Sequence, residues 1–460
     1  MTELSVTLRI KYEIGIGEVN LNEIVYVLQE NQSLFMRELL TAILRKYDDD
    51  VCELLCGRHL SSERKGLGRH GTTEDHGRRF ICRGRCARRR GYRREARHIM
   101  TVFGQVALPI RVVECRKCGT RYSPILDALS IEPYSQRESN FEHAVIEAVI
   151  DTNYRRLIDG RSIDISLGGI HNIVAGSDVP RDTEEHIVSS TLRGIMADGT
   201  GLKQYKGTKG ELRAVVGIDQ DGSIVPLGTF VNTSWSQIER SVRSRLSVSK
   251  EGRQGHIPFV YDGEPGLDQF LAEVAESQRC TWHASRGVHH ALWEDGLKKK
   301  ERNPYVLQVK ELVGIELPAG DYELLKDEDK DSIAAQLKES KSSMEGLIKI
   351  FRERGYENAV VYLENLSRQV FTNVNLWLQT GIIAPKTISR LERLFRELGR
   401  RLKRIAWGWS DKVATNLSKM IVVRQYQREK WEAFWKKKLG ILGNFTINLL
   451  GVEITPCHNF

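Results

Sequence analysis

The sequence lacks any run of about 18 or more uncharged apolar residues, the length that an apolar helix needs to span a bilayer. Its first residues, MTELSVTLRIKYEIGIGE, lack the basic region, apolar core and small-residue cleavage site of a secretory leader. No internal repeat of fixed period is visible, so nothing indicates a repeat architecture. These absences predict a cytoplasmic protein with no membrane partner.

Cysteine is also scarce, with eight residues in 460, and in a cytoplasmic chain these do not indicate a disulfide framework. Two pairs have a spacing typical of a zinc ribbon: Cys82 with Cys86, and Cys115 with Cys118. Gly119 follows the second pair and lets the backbone amides turn towards the thiolates, so we expect a structural Zn²⁺ at these four cysteines. Cys52 and Cys56 are four residues apart, on one face of a predicted helix. We expect them to be buried core residues; the alternative is that one of them replaces a zinc ligand.

Positive charge exceeds negative charge, with 69 Lys and Arg against 60 Asp and Glu, a net charge of +9. Ten arginines fall within the twenty residues from Arg78 to Arg97. Such a density favours binding to a phosphate backbone, for which Arg88, Arg89 and Arg90 are candidates; a solvated loop is the alternative.

A chain of this length predicts several domains, and periodicity and composition divide it into seven segments. The predicted segments are a helical amino-terminal segment (1–65), a Cys- and Arg-rich zinc-ribbon-like module (66–130), a helical segment (131–187), a first α/β part (188–286), a helical insertion (287–385), a further helix (386–425) and a carboxyl-terminal tail (426–460). In the third segment, YRRLIDGRSIDISLGGIHNIVAG has the pattern of a helix-turn-helix that could read a major groove, although plain packing of two helices would look the same. The tail is expected to form a packed helix or to assist DNA binding.

The central segment alternates strands and helices. TLRGIMADG predicts one strand, and ELRAVVGIDQDGSIVPLGTFV predicts a hairpin turning at Gln220-Asp221-Gly222. WSQIERSVRSRLS predicts a helix, HIPFVYDG a strand, GLDQFLAEVAES a helix and RCTWHA a strand. Three antiparallel strands followed by alternating helices and strands is the order of a ribonuclease H-like sheet, so the predicted fold class is multidomain α/β with such a core and an all-helical insertion.

Two of the predicted strands end in Asp-Gly, at Asp198 and Asp262. Neighbouring carboxylates repel each other unless cations intervene, which favours a Mg²⁺ or Mn²⁺ site of two ions. Glu392 is the candidate third ligand, because it begins a helix for which Thr387 or Ser389 is the expected cap; Glu397 is a rival. The same helix carries three arginines at i, i+4 spacing that could grip the DNA backbone: Arg396, Arg400 and Arg404.

The motifs ADGTGLK, VYDGEPGL, QRCTWHASRGVHHAL and TISRLERLFRELGRRLKRIAWGWS, taken in this order, resemble the DDE transposases of the Mutator-like class and their prokaryotic insertion-sequence relatives. The resemblance covers roughly residues 190 to 425. It implies a ribonuclease H-like core in which Asp198, Asp262 and Glu392 form the metal-binding triad. It also implies that Cys280 and His283 are the Cys-x-x-His pair of that class, with His283 a neighbour of the active site; half of a zinc site is the alternative.

The resemblance implies a DNA transposase that binds terminal inverted repeats, cleaves DNA and transfers the strand to target DNA. Such an enzyme would act as a homodimer or higher oligomer on double-stranded DNA and would associate with the nucleoid. Two alternatives stay open: a domesticated, non-catalytic DNA-binding protein, and a ribonuclease H-like nuclease without strand transfer.

Overall fold

The computed structural model describes residues 21–56, 87–116, 119–132, 134–159, 165–178, 187–188, 192–247, 257–318, 322, 325–403, 408–440, 447–449 and 452–454. The protein is mixed α/β, and its chain forms two compact units, residues 1–173 and 174–460. No helix in these ranges is both long enough and apolar enough to cross a membrane. Cys82, Cys86, Cys118 and Arg404, four of the predicted site residues, lie outside the described residues.

The first unit begins with the predicted long helix α1, Leu21–Cys56. The strands that follow are β1 (Ala87–Tyr92), β2 (Arg97–Thr101), β3 (Gly104–Leu108), β4 (Arg111–Cys115) and β5 (Arg121–Tyr122). β4 is the central strand of an antiparallel sheet of order β1-β4-β5, and β2 and β3 form a hairpin. A small core of Ile99, Leu108, Ile110 and Ile125 is buried beneath them.

Four helices continue the chain: α2 (Pro124–Ala128), α3 (Ser139–Asp151), α4 (Tyr154–Asp159) and α5 (Leu167–Gly176). The helices α4 and α5 are those of the predicted helix-turn-helix segment. α3 buries one face through Phe141, Val145, Ile146, Val149 and Ile150. The Glu138 carboxylate caps the start of α3 by accepting from the backbone N–H groups of Asn140 and Phe141.

The second unit contains a mixed five-stranded sheet. Its strands are β7 (Leu192–Lys203), β8 (Lys209–Asp219), β9 (Ile224–Val231), β11 (Ile257–Tyr261) and β12 (Ala275–Arg279). Two short strands, β6 (Ile187–Val188) and β10 (Leu246–Ser247), form a separate parallel pair. The order is β12-β11-β7-β8-β9. β7, β8 and β9 are antiparallel in succession, whereas β11 runs parallel to β7 and β12 parallel to β11. The predicted hairpin turn is confirmed, with Gly222 at φ +86°.

The helices of this unit are α6 (Trp235–Arg243), α7 (Thr281–Glu294), α8 (Lys299–Leu312), α9 (Asp327–Glu353), α10 (Glu357–Ser367), α11 (Thr372–Thr380), α12 (Ser389–Leu402), α13 (Asp411–Tyr426) and α14 (Arg428–Leu439), followed by the hairpin strands β13 (Ile447–Leu449) and β14 (Val452–Ile454). α7 to α11 share one core, with Phe351, Leu363 and Trp377 among its buried side chains. The expected packed helix of the tail is confirmed as α14, which buries Trp431 and Trp435.

Two element predictions were wrong. The segment Gly266–Ser277 forms turns and the beginning of β12 rather than a helix, and Leu271 adopts a left-handed φ of +57° that a helix does not allow. The strand expected in RCTWHA is instead the end of β12 and the first turn of α7. The apolar residues Leu267, Phe270 and Leu271 are buried at helical spacing, which explains the first error.

Candidate active site

Asp198 lies within β7, which continues to Lys203, so the prediction that it ends a strand was wrong. The Asp-Gly pair does not turn the chain because Asp198 and Gly199 stay in register with Ala214 and Arg213 of β8. The Asp198 Oδ1 atom accepts a 2.8 Å hydrogen bond from the backbone N–H of Gly199. A side chain at Gly199 would meet the Glu211 carboxylate, whose Oε1 lies 2.6 Å from the ideal Cβ position.

Asp262 follows β11 directly, as predicted. Because β11 runs parallel to β7, with Phe259 opposite Ile195, the chain leaves β11 beside the part of β7 that carries Asp198. The Asp262 Oδ1 atom accepts a 2.8 Å bond from the backbone N–H of Glu264, which closes a tight turn. Gly263 in this turn has φ +109°.

The charge of Asp262 acts on Asp198. Burial and the charge of Asp262 together raise the pKa of Asp198 to about 7, although the N–H of Gly199 opposes the shift, and the charges of Glu264 and Glu392 add to it. These carboxylates come from well-separated parts of the sequence; Asp198 and Asp262 line one cavity, and Glu392 is near enough for its charge to act on Asp198.

Glu392 lies in the first turn of α12, as predicted. The position of the helix is set by its leucines, because Leu391, Leu394, Leu398 and Leu402 are all buried and α12 contacts β7. The predicted cap was wrong: Ile388 precedes the first helical residue, and no side chain caps the helix. Thr387 and Ser389 instead share a 3.0 Å hydrogen bond between their hydroxyls.

The Cys-x-x-His pair lies at the start of α7. The Cys280 thiol is buried at the position before the helix, and its Sγ lies 3.4 Å from Nδ1 of His283. The other ring nitrogen of His283, Nε2, lies 3.7 Å from Oε1 of Glu392. Burial lowers the pKa of His283 below its ordinary value, against the opposing charges of Asp262 and Glu392. Cys280 and His283 therefore link the start of α7 to Glu392 of α12. This contact favours a structural role for the pair over the alternative that it forms half of a zinc site.

A further carboxylate, Glu264, was missed by sequence reasoning. Its Oε1 atom accepts a 2.8 Å bond from Nε1 of Trp235 and a 3.3 Å bond from Nη2 of Arg213. Arg213 also pairs with Glu211 at 2.7 Å and lies 4.7 Å from the centre of the Trp235 ring. Burial raises the pKa of Glu264. The sequence signal that could have identified Glu264 is its position two residues after Asp262.

A cavity of about 670 Å³ opens in front of the aspartates. Asp198, Asp262 and Glu264 line one side of it, and Tyr362 of α10 lines the other. The guanidinium of Arg279 reaches into the turn after β11, where it donates to the Asp262 carbonyl at 3.3 Å. The cavity is therefore acidic on the sheet side and polar on the helical side.

The donor set fits a divalent cation by its chemistry, because carboxylate oxygens are the ligands that Mg²⁺ and Mn²⁺ prefer and the carboxylates here raise each other's energy when ionised. Asp198, Asp262 and Glu392 would hold such an ion. In the part of the chain that the structure describes, however, no three His, Cys, Asp or Glu side chains lie close enough together to coordinate one ion, so this metal site stays a prediction.

The described DNA-binding candidates fall into two groups, on α12 and on β1, and Arg89 of β1 is exposed. Arg396 and Arg400 are exposed on α12, where Arg400 pairs with Glu397 at 2.8 Å. Arg88 and Arg90, in contrast, bind the Glu114 carboxylate of β4 at 2.6 and 2.7 Å, and Arg121 joins them at 3.0 Å. These three guanidinium groups hold the pKa of Glu114 far below its usual range.

Of the predicted zinc ligands, Cys115 is described. It is buried at the end of β4, and its carbonyl accepts a 2.9 Å bond from the N–H of Gly119, which has φ +72°. The turn at Gly119 expected after the second cysteine pair is confirmed. The four-cysteine site stays a prediction.

No protein-family model matches the chain, and no curated protein matches it.

Proposed function

We propose that the protein is a DDE-type DNA transposase with a ribonuclease H-like core. In this proposal it binds the terminal inverted repeats of an insertion sequence, cleaves DNA at the element ends and joins the freed 3′-hydroxyl to target DNA. Asp198, Asp262 and Glu392 would hold two divalent ions, which would supply an activated nucleophile and stabilise the leaving oxygen. The cysteines at 82, 86, 115 and 118 would hold a structural Zn²⁺, and the active form on DNA would be a dimer or larger.

One observation carries the proposal: Asp198, on the central strand β7, and Asp262, directly after the parallel neighbour β11, line the same cavity. Glu392 of α12 lies 3.7 Å from His283 at the start of α7. Carboxylates buried together destabilise a fold, so their presence indicates that the site has a use for them. The strand order β12-β11-β7-β8-β9, with three antiparallel strands and two parallel ones, also supports the proposal.

The chain's own residues have distinct parts in the proposed reaction. Asp198 and Asp262 meet the scissile phosphate from the sheet, and Glu392 approaches from α12. The neutral form of His283, favoured by its lowered pKa, orients Glu392 from 3.7 Å without cancelling its charge. The exposed Arg396 and Arg400 of α12 would contact the DNA backbone on the outer side of the helix.

The test is cleavage and strand transfer on labelled DNA that carries the element's own ends, with Mg²⁺ or Mn²⁺. We expect Asp198→Asn, Asp262→Asn and Glu392→Gln to retain DNA binding and to lose activity at least about a hundredfold, or about 2.7 kcal/mol of transition-state stabilisation. Glu397→Gln is the matched control, because Glu397 lies on the same helix and pairs with Arg400. If Glu392→Gln keeps activity and Glu397→Gln loses it, Glu397 and not Glu392 is the third metal ligand. A wild-type protein that binds the element ends and never cleaves them would overturn the proposal.

A further inference from the structure

Helix α7 exposes two tryptophans on one face. Trp282 is 58% exposed and Trp293 is 57% exposed, whereas every other tryptophan that the structure describes is buried. The helix packs through a different face, on which Ala284, Val288 and Leu292 are buried. The two indoles therefore contribute little to the packing of α7, and large apolar side chains left in solvent indicate a binding surface.

The tryptophans belong to a stripe with two cationic or polar residues between them. Trp282, Arg286, His289 and Trp293 follow i, i+4, i+7 and i+11, which places them within an arc of about 60° on the helix. Arg286 is exposed and His289 half-buried. The charges of Lys299 and Arg302 on α8 also act on His289. Positive charge thus accompanies the aromatic surface at Arg286 and on α8, whereas beside Trp293 the carboxylate of Glu294 pairs with His290.

The stripe begins beside the carboxylates. The ring of Trp282 lies edge-on to that of His283, with 4.6 Å between the ring centres, and His283 is the residue 3.7 Å from Glu392. A ligand on Trp282 would therefore reach the vicinity of the candidate triad. Trp293 lies three turns farther along the helix.

We propose that this stripe binds unpaired nucleotides of the DNA strand whose phosphate enters the active site. Trp282 and Trp293 each stack on a base, and Arg286 contacts the phosphates between them. Aromatic side chains interleaved with cations are the arrangement that holds single-stranded DNA without reading its sequence. The inference rests on the proposed function, because it names the form of substrate that the same site takes: DNA with bases unpaired next to the cleaved bond.

The spacing of the tryptophans sets the length of strand bound. Eleven residues of helix separate the two indoles by about 16 Å along the axis. Successive nucleotides of a stacked strand are about 3.4 Å apart, so the two bases lie about five nucleotides from each other. A trinucleotide would reach one tryptophan, and an octanucleotide would reach both.

A second copy of this chain is the other occupant to consider. The observations favour nucleotides, because Arg286 interrupts the apolar surface and more positive charge lies beside it on α8; a copy of the same positive stripe would repel it. Oligomeric state is therefore measured in the same experiment.

The experiment measures binding of fluorescein-labelled (dT)₈, (dT)₃ and a blunt duplex by anisotropy, with EDTA present so that cleavage plays no part. The variants are Trp282→Ala, Trp293→Ala, their combination and Trp282→Phe. Leu307→Ala is the matched control, because Leu307 is 58% exposed on α8 and offers no ring for stacking. Thermal melting checks that each variant is folded.

We expect each Trp→Ala variant to bind (dT)₈ about tenfold more weakly, equivalent to about 1.4 kcal/mol, and the double variant about a hundredfold more weakly. We expect Trp282→Phe and Leu307→Ala to bind (dT)₈ within about twofold of wild type. Because (dT)₃ reaches only one tryptophan, its loss of affinity in the single variants should be smaller than the loss of (dT)₈ affinity in the double variant.

Three results would overturn the inference: wild type that does not bind (dT)₈, Trp variants that bind it like wild type, or Trp variants that dissociate from oligomer to monomer by light scattering. If the wild-type protein never cleaves DNA but its Trp variants lose (dT)₈ binding, the stripe binds single-stranded DNA and the proposed transposase function is wrong. Failure of the inference can therefore be distinguished from failure of the proposed function.

Discussion

Nε2 of His283 lies 3.7 Å from Oε1 of Glu392, while Nδ1 of the same ring lies 3.4 Å from Sγ of Cys280. The buried thiol thus sets the orientation of the imidazole, and the imidazole faces the glutamate. The Glu392 side chain is partly exposed in the first turn of α12 and could adopt several rotamers, which the neighbouring ring restricts. His283 is therefore a positioning residue for Glu392.

We expect His283→Ala to lower the rate of DNA cleavage about 10- to 100-fold, the range typical of residues that orient metal ligands, with DNA affinity unchanged. Titration of Mn²⁺ separates this role from a structural one, because a misplaced Glu392 raises the Mn²⁺ concentration needed for half-maximal cleavage. His98→Gln, which changes an exposed histidine on β2, is the control. Equal Mn²⁺ dependence in His283→Ala and wild type would contradict the assignment.

The stability of the metal-free protein should depend on Asp198. Its pKa is raised from 3.8 to about 7, so the folded state holds a proton that the unfolded state has released between these values. The free energy of unfolding therefore falls as the pH rises from about 4 to 7, and the loss is complete above pH 7. Asp198→Asn removes this dependence, so we expect it to be more stable than wild type at pH 8 in EDTA, by at most about 4 kcal/mol.

Urea unfolding at pH 5 and pH 8 measures the effect. Asp331→Asn, which removes an exposed carboxylate from α9, should keep the wild-type pH dependence. If wild type and Asp198→Asn respond identically to pH, burial and the neighbouring carboxylates do not raise the pKa of Asp198.

Much of the second unit could be predicted from the sequence. The hairpin at Gln220-Asp221-Gly222, the strand before Asp262 and the glutamate at the start of α12 all have strong local signals, since each depends on residues close together in the chain. Local pattern also explains the failures. Asp198-Gly199 has the composition of a turn, and only pairing with β8 keeps it extended; Leu267, Phe270 and Leu271 have helical spacing, and only the left-handed Leu271 breaks it.

The surroundings of the carboxylates could not be predicted, because they depend on side chains that meet only in the folded chain. Trp235 is on α6, Arg213 on β8 and Glu264 in the turn after β11, and nothing in their separate neighbourhoods indicates that they share hydrogen bonds. The pairing of Arg88 and Arg90 with Glu114 was missed for the same reason: a run of arginines predicts a phosphate-binding surface, whereas the acidic partner is on another strand.

The turn after β11 should depend on glycine at position 263. Gly263 has φ +109°, and a Cβ atom there would lie 1.9 Å from Nη2 of Arg279. Gly266 has a similar φ of +92° and no atom within 4 Å of its Cβ position. Gly263→Ala and Gly266→Ala therefore share the backbone strain of about 1–2 kcal/mol, and only the first also displaces Arg279 from Asp262.

We expect Gly263→Ala to lose cleavage at least about tenfold more than Gly266→Ala, equivalent to about 1.4 kcal/mol, because it moves the Asp262 turn. Initial cleavage rates and melting temperatures of the two variants give the comparison. Equal losses would mean that the positive φ alone, and not the contact with Arg279, makes glycine necessary there.

The last prediction concerns the arginines of the first unit. Glu114 accepts from Arg88, Arg90 and Arg121, so in the free protein these three guanidinium groups share one carboxylate as their partner. Glu114→Gln would release them. We expect tighter binding to non-specific duplex DNA and a salt dependence of log K steeper by about 1 to 2, because each additional phosphate contact adds close to one unit to the slope.

Fluorescence anisotropy across a NaCl series measures the slope. Glu95→Gln, in the exposed turn between β1 and β2, removes the same charge without releasing these arginines, and its slope should match wild type. If both variants steepen the slope equally, net charge alone explains the effect and Glu114 does not hold the arginines back. If neither changes it, the arginines around Glu114 do not contact DNA, and the basic surface that binds it must be sought on α12, where Arg396 and Arg400 are exposed.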